Sequence, residues 1–285
     1  MPGPPGGLFL KAMESFLSYE FLRRALLMGV LGGGVCGALG VFVVLWRMSL
    51  VGMCISHAAF AGALIGLWLG FPPLAGGLAA GLGAASLSGP LAERPGFSLD
   101  TAMGVIFSVV MSLAMLALGL LPGARIEGLS LIWGSLLTVT AFDLALMSAA
   151  ACALFLFIFC FFKEIQAIIG HSQAALACGI PVRQIRYACL ALMGLTVACA
   201  LKAIGGLLIF SFIVTPAAAA LQITYSLRLM FILSAAFGAV AAACGLWLSF
   251  HFALPAGAAI VLFSALILIA CMIFSPKRKM PGQNG

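Results

Sequence analysis

Met48–Gly70, MSLVGMCISHAAFAGALIGLWLG, is the stretch whose reading decides the fold. It is almost wholly apolar, and a helix needs roughly 20 residues to cross a hydrocarbon core about 30 Å thick. His57 stands near its middle, where an ionisable side chain is costly unless it is paired, wetted or bound. Met53 and Cys54, four and three residues earlier, lie beside His57 on a helix, so thioether, thiol and imidazole can gather on one flank. Gly62, Gly66 and Gly70 follow at spacing four, a narrow ridge suited to close helix packing. Gly62 is roughly 140° round the helix from His57 at 3.6 residues per turn. One face can hold a neighbour while another looks into a pathway.

Composition widens this reading to the whole chain. Of 285 residues, 64% are hydrophobic and 7% charged, whereas a soluble domain carries about 25% charged residues. A water-soluble fold is excluded. The net charge of +7 is spread over short connections, without the basic stripe a nucleic-acid surface needs, so no nucleic-acid partner is expected. In a membrane protein such residues gather on the cytosolic side. The nine cysteines contain no C-x-x-C pair, and a free cysteine in an apolar span acts as a small hydrophobe. Only Cys54 has a neighbour, His57, that gives it a chemical use.

Apolar runs bounded by charge, Pro or Gly mark nine candidate helices, at about 21–46, 49–70, 72–91, 100–121, 143–162, 184–203, 205–221, 228–250 and 255–274. The expected class is an all-α polytopic integral membrane protein of about eight to nine transmembrane helices, multi-pass and surrounded by lipid. Residues 1–20 read as a flexible lead and surface segment, 21–274 as one transmembrane domain, and 275–285 as a basic cytosolic tail. Asp100 with Thr101 suits an N-cap of the fourth helix. Residues 122–142 are too polar and glycine-rich for a span and fit a re-entrant or interfacial piece.

Lys163–Arg186 is the longest amphipathic stretch between spans, and its middle, HSQAALACG, predicts a short helix ended by Gly179 and Pro181. It can lie on the membrane surface or dock a cytosolic partner. With this segment inside, nine of the 14 basic residues are cytosolic. In Gly205–Leu221, Pro216 removes a helical hydrogen bond, with Thr215 placed to satisfy the freed backbone, so a kink is expected here. Such a kink can line a pathway or be plain packing.

Taken in order, these residues resemble the membrane subunits of zinc/manganese/iron-type ATP-binding-cassette importers. The resemblance rests on Arg47-Met48-Ser49-Leu50, Gly52, Ser56-His57-Ala58 and Gly62, then Leu99-Asp100-Thr101 with Gly104. It continues through Trp133-Gly134-Ser135-Leu136-Leu137 with Asp143-Leu144, Ser172-Gln173-Ala174-Ala175 with Gly179, Pro181 and Val182, and Ile204–Ala220. It covers about Phe21 to Phe274. The resemblance implies a permease of a bacterial inner membrane working as a homodimer, with a second copy of this chain lining a shared path. Two cytosolic ATPases would dock on Gln173, Ala174, Ala175, Gly179 and Pro181, and an extracytoplasmic substrate-binding protein would deliver cargo. No G-x-x-x-x-G-K-S/T occurs, so ATP belongs to the partner subunit and this chain holds no cofactor of its own. The absence of H-E-x-x-H and G-x-S-x-G argues against catalysis here.

The departures bear on cargo. The family's acidic residue four before the histidine is Met53 here, which removes a hard oxygen donor. His57, Met53 and Cys54 form the candidate metal site, softer than the family's. Imidazole with sulfur donors suits Cu(I) or Zn²⁺ over Mn²⁺ or Mg²⁺, whereas the resemblance itself implies a transition-metal ion, zinc-like, manganese or iron. A metal chelate is the alternative cargo, with Ala58, Ala59 and Ala61 giving room for it. An ion-coupled secondary transporter or channel is the competing class, but Asp100 and Asp143, its clearest coupling acids, stand at helix ends.

Overall fold

The computed structural model describes residues 19–92, 99–120, 131, 134, 138–252 and 254–275. The expected N-terminal lead, most of the 122–142 segment and nearly all of the basic tail lie outside them. Among the described residues the chain forms ten helices. They are α1 (Glu20–Leu45), α2 (Ser49–Leu69), α3 (Pro73–Ala92), α4 (Leu99–Leu120), α5 (Ala141–Cys160), α6 (Phe162–Ala177), α7 (Val182–Ile204), α8 (Gly206–Ile223), α9 (Leu227–Phe252) and α10 (Ala256–Ile273). Eight are long and apolar enough to cross a membrane, and the apolar part of α8, Leu208–Ile223, is shorter. These eight and α8 coincide with the nine runs read from the sequence; α6 is the amphipathic extra. The all-α polytopic class is what the chain folds into.

Burial sorts the helices into inner and outer. In α1 and α2, 72% of the apolar window is buried, against 22% in α4 and α5. Helix α7 is the hub, packed on α1, α2, α3, α5 and α8. At one end of the bundle α4 leans on α2 and α3, and at the other α9 and α10 pack on α1 and α8. Lipid tails are as apolar as Leu, so helix association here comes from dispersion contacts and close backbone approach rather than from water exclusion. Glycines supply that approach. Gly62 of α2 meets the Gly76 backbone of α3, and Gly33 of α1 meets Gly238 of α9, with no room for a Cβ at either crossing. Beside the second crossing the buried Ser234 hydroxyl donates to the Gly37 carbonyl oxygen at 2.5 Å. An inter-helix hydrogen bond counts here because hydrocarbon offers no competing partner.

Two sequence expectations shift. Helix α4 begins at Leu99, so Asp100 is its second residue and not its cap. Helix α8 runs without interruption through buried Pro216 and half-buried Thr215. The interruption falls upstream at Gly205, between α7 and α8, with φ +92° and ψ +141°. A positive φ favours glycine there. The junction is buried: Gly206 packs against Phe60, midway along α2, and Gly134 presses on the Ile204–Gly205 backbone. Helix α8 therefore starts inside the bundle.

Candidate functional site

The two faces expected of α2 are both present. The glycine face meets α3, and His57 turns instead toward α4, where its ring stands edge-on to Phe107 with centroids 5.0 Å apart and planes at 76°. The imidazole Nδ1 lies 2.8 Å from the Met53 carbonyl oxygen. A carbonyl only accepts, so Nδ1 carries a proton and donates, which in the neutral ring leaves the Nε2 lone pair for a ligand. The Ser56 hydroxyl donates to the same carbonyl at 2.9 Å. Fixing one ring nitrogen by a backbone carbonyl is the device that orients a metal-binding histidine. His57 is half-buried, as is Met53 one turn below it.

The other candidates on α2 go elsewhere. Cys54 is 1% exposed and belongs to the packed core. Ala58, Ala59 and Ala61 are buried too, and Ala59 faces Gly77 and Gly81 of α3. Among the described residues no three His, Cys, Asp or Glu side chains come together in a way that could hold a metal ion. On α2 one chain thus offers a single oriented imidazole, with half-buried Met53 one turn away. Sulfur placement follows burial elsewhere as well: Cys36, Cys189, Cys199 and Cys271 are buried, whereas Cys152, Cys160 and Cys178 lie on the outside.

A polar feature unread in the sequence sits at the end of the bundle opposite α6. Lys202, in the last turn of α7, donates from Nζ to Asp143 Oδ2 at 2.9 Å. Asp143 also accepts from the Thr140 amide at 2.9 Å and the Thr140 hydroxyl at 2.8 Å, while its own amide donates back to Thr140 Oγ1 at 3.2 Å. That reciprocal pair is a capping box, with Asp in the role usually taken by Glu. The T-x-x-D spacing before an apolar run was the available signal. The 59-residue separation to Lys202 hid the partner. Asp143 and Lys202 line a cavity of about 530 Å³ together with Pro72, Thr138, Phe142 and Leu201.

At the other end, the coupling segment is a broken helix. Phe162–Gly170 continues α5 after the single non-helical residue Phe161, and a second break falls at His171, φ −149° and ψ +93°. Residues 172–177 then form a short turn of helix. Gly179 closes it at φ +80°, with its amide donating to Leu176 O at 3.0 Å and the Ile180 amide to Ala175 O at 3.1 Å. This is the glycine-closed helix end expected from the sequence. Gln173, Ala174, Gly179 and Pro181 are exposed, but Ala175 is 4% exposed and points into the fold. Leu176, which the sequence did not single out, is 59% exposed beside them.

A bundle of membrane-length apolar helices, an amphipathic hairpin at one end and an oriented histidine at mid-span make the architecture of a membrane permease. The chain belongs to the ABC 3 transport family, whose model matches residues 18–275. It is 32% identical to the manganese transport system membrane protein MntC of Listeria innocua over 266 residues, 93% of this chain and 95% of that protein. It is 30% identical to the chelated iron transport system membrane protein YfeD of Yersinia pestis, over 94% of this chain and 90% of that one. The solved structure of PsaBC from Streptococcus pneumoniae in complex with Fab superposes with a TM-score of 0.86 at 30% identity, covering 95% of this chain and 98% of that chain.

Proposed function

We propose that this chain is the membrane subunit of an importer for a transition-metal cation, in which two copies line one path. ATP is hydrolysed by two separate subunits docked on the 172–181 hairpin, and an extracytoplasmic binding protein delivers cargo at the Asp143–Lys202 end. The observation that carries this reading is the half-buried His57, held by the Met53 carbonyl so that Nε2 is the free donor. Imidazole suits Zn, Fe and related cations, and a carboxylate would have favoured Mn. Relatives named for manganese and for chelated iron support the same class of cargo. Two imidazoles, one from each copy, would leave the remaining positions on the metal to water or to a chelator.

The lack of a three-ligand cluster among the described residues favours cargo that keeps part of its own coordination shell. Reconstituted with its ATPase and binding protein, the complex should take up one of Mn²⁺, Fe²⁺ or Zn²⁺, or a chelate of one of them, in an ATP-dependent manner. Uptake of none of these, with ATP hydrolysis intact, would overturn the metal reading. His57→Ala should abolish transport of a bare ion and weaken transport of a chelate only several-fold. Parent-rate transport by that variant would remove His57 from the path.

A further inference from the structure

We propose that the groove between α5–α6 and α9 is a binding site for one anionic phospholipid of the cytosolic leaflet. The groove has a volume of about 920 Å³ and lies at the end of the bundle that carries the coupling hairpin. Its walls are apolar: Phe155 and Phe159 stand on α5, and Ile232 faces them from α9. Phe159 is 83% exposed and Ile232 65%, so among the described residues nothing covers them. That much would fit any acyl chain.

The rim makes the site selective. Lys163 and Arg228 line the groove, with Glu164 as the single carboxylate beside them, so the rim carries a net positive charge. Among the described residues neither cation is in an ion pair. The Arg228 guanidinium lies 5.2 Å from the Phe162 ring centroid, which holds it over the groove by a cation–π contact. Arg228 is also the second residue of α9, where the positive end of the helix dipole disfavours a cation. A phosphate placed there relieves that conflict and meets arginine, lysine and helix end together. Basic pockets between spans on the cytosolic side hold anionic headgroups in this way. The groove is also remote from the His57 face. Helix α4, against which His57 rests, packs on α2 and α3, while α9 packs on α1, α8 and α10.

The full chain, purified in detergent and stripped of lipid, should be titrated with phosphatidylglycerol and with phosphatidylcholine of matched acyl chains and read by native mass spectrometry. The parent should bind one phosphatidylglycerol per chain with a preference of about tenfold over phosphatidylcholine. Lys163→Gln with Arg228→Gln should bring that preference to about unity while weak binding of both lipids persists. Ile232→Trp keeps the charges and fills the groove, and it should lose both lipids from this site. Equal binding of the two lipids by the parent, or an unchanged preference in the charge-neutral variant, would overturn the proposal. Separation of a two-copy assembly by Ile232→Trp would make the groove a subunit interface and overturn it equally.

Discussion

Lys202 Nζ and Asp143 Oδ2, 59 residues apart in the chain, meet at 2.9 Å and tie the last turn of α7 to the first turn of α5. The lysine side chain is 46% exposed and the aspartate 17%, so solvent screens one side of the pair. A double-mutant cycle with Lys202→Met and Asp143→Asn should return a coupling of about 1 kcal/mol or less. Asp143→Asn should cost more than Lys202→Met, because it also weakens the capping box on Thr140. Equal single costs by denaturant unfolding in detergent would remove the cap from this account.

The Met53–His57 bond orients a donor, and Phe107 sets the plane of the ring. Phe107→Ala should leave ATPase assembly intact and raise the cargo concentration needed for half-maximal uptake. Met53→Asp adds a carboxylate one turn from the imidazole and should shift preference toward Mn²⁺. Uptake measured with Mn²⁺ and Zn²⁺ in competition gives the ratio directly, and an unchanged ratio counts against a shared site.

Close helix crossings give a sharper contrast. Gly62→Ala places a methyl group against the Gly76 backbone and should destabilise the α2–α3 pair by about 1–3 kcal/mol. Gly83→Ala meets nothing within 4 Å and should gain up to about 1 kcal/mol from helix propensity. Thermal melting of both variants in the same detergent checks the sign of each.

The coupling hairpin separates a surface change from a packing change. Leu176→Glu alters the exposed side and should reduce cargo-stimulated ATP hydrolysis with little effect on the melting temperature. Ala175→Leu overfills a buried position and should lower the melting temperature first. A normal ATPase response in a well-assembled Leu176→Glu complex would move the docking surface elsewhere.

Element positions were legible because apolar runs of about 20 residues have few other uses. Every span read from the sequence returns as a helix, and the opposed faces of α2 followed from the angle between Gly62 and His57. Side-chain fates were less legible. Cys54 and Ala175 carried the spacing of functional residues, yet each turns into the core, because periodicity gives a relative angle and packing decides which angle is inside. Helix α8 continues through Pro216, and the chain leaves the helical path at Gly205 instead. A proline can persist in a membrane helix when neighbours satisfy the freed carbonyl, whereas a positive φ forces the chain off the helical path. Lys202 escaped notice because its partner is remote in sequence.

Helix α7 begins directly after the hairpin residues Gly179 and Pro181 and carries Lys202 in its last turn, about 30 Å from Val182 at 1.5 Å per residue. Near its midpoint Gly194 lies close against Gly81 of α3, and the two glycines leave little bulk at the crossing. Helices α1, α2, α5 and α8 hold α7 along with α3, so it sits in the bundle as one continuous rigid element. A displacement of the hairpin end would therefore reach the Asp143 end through a single helix, without a relay through loops.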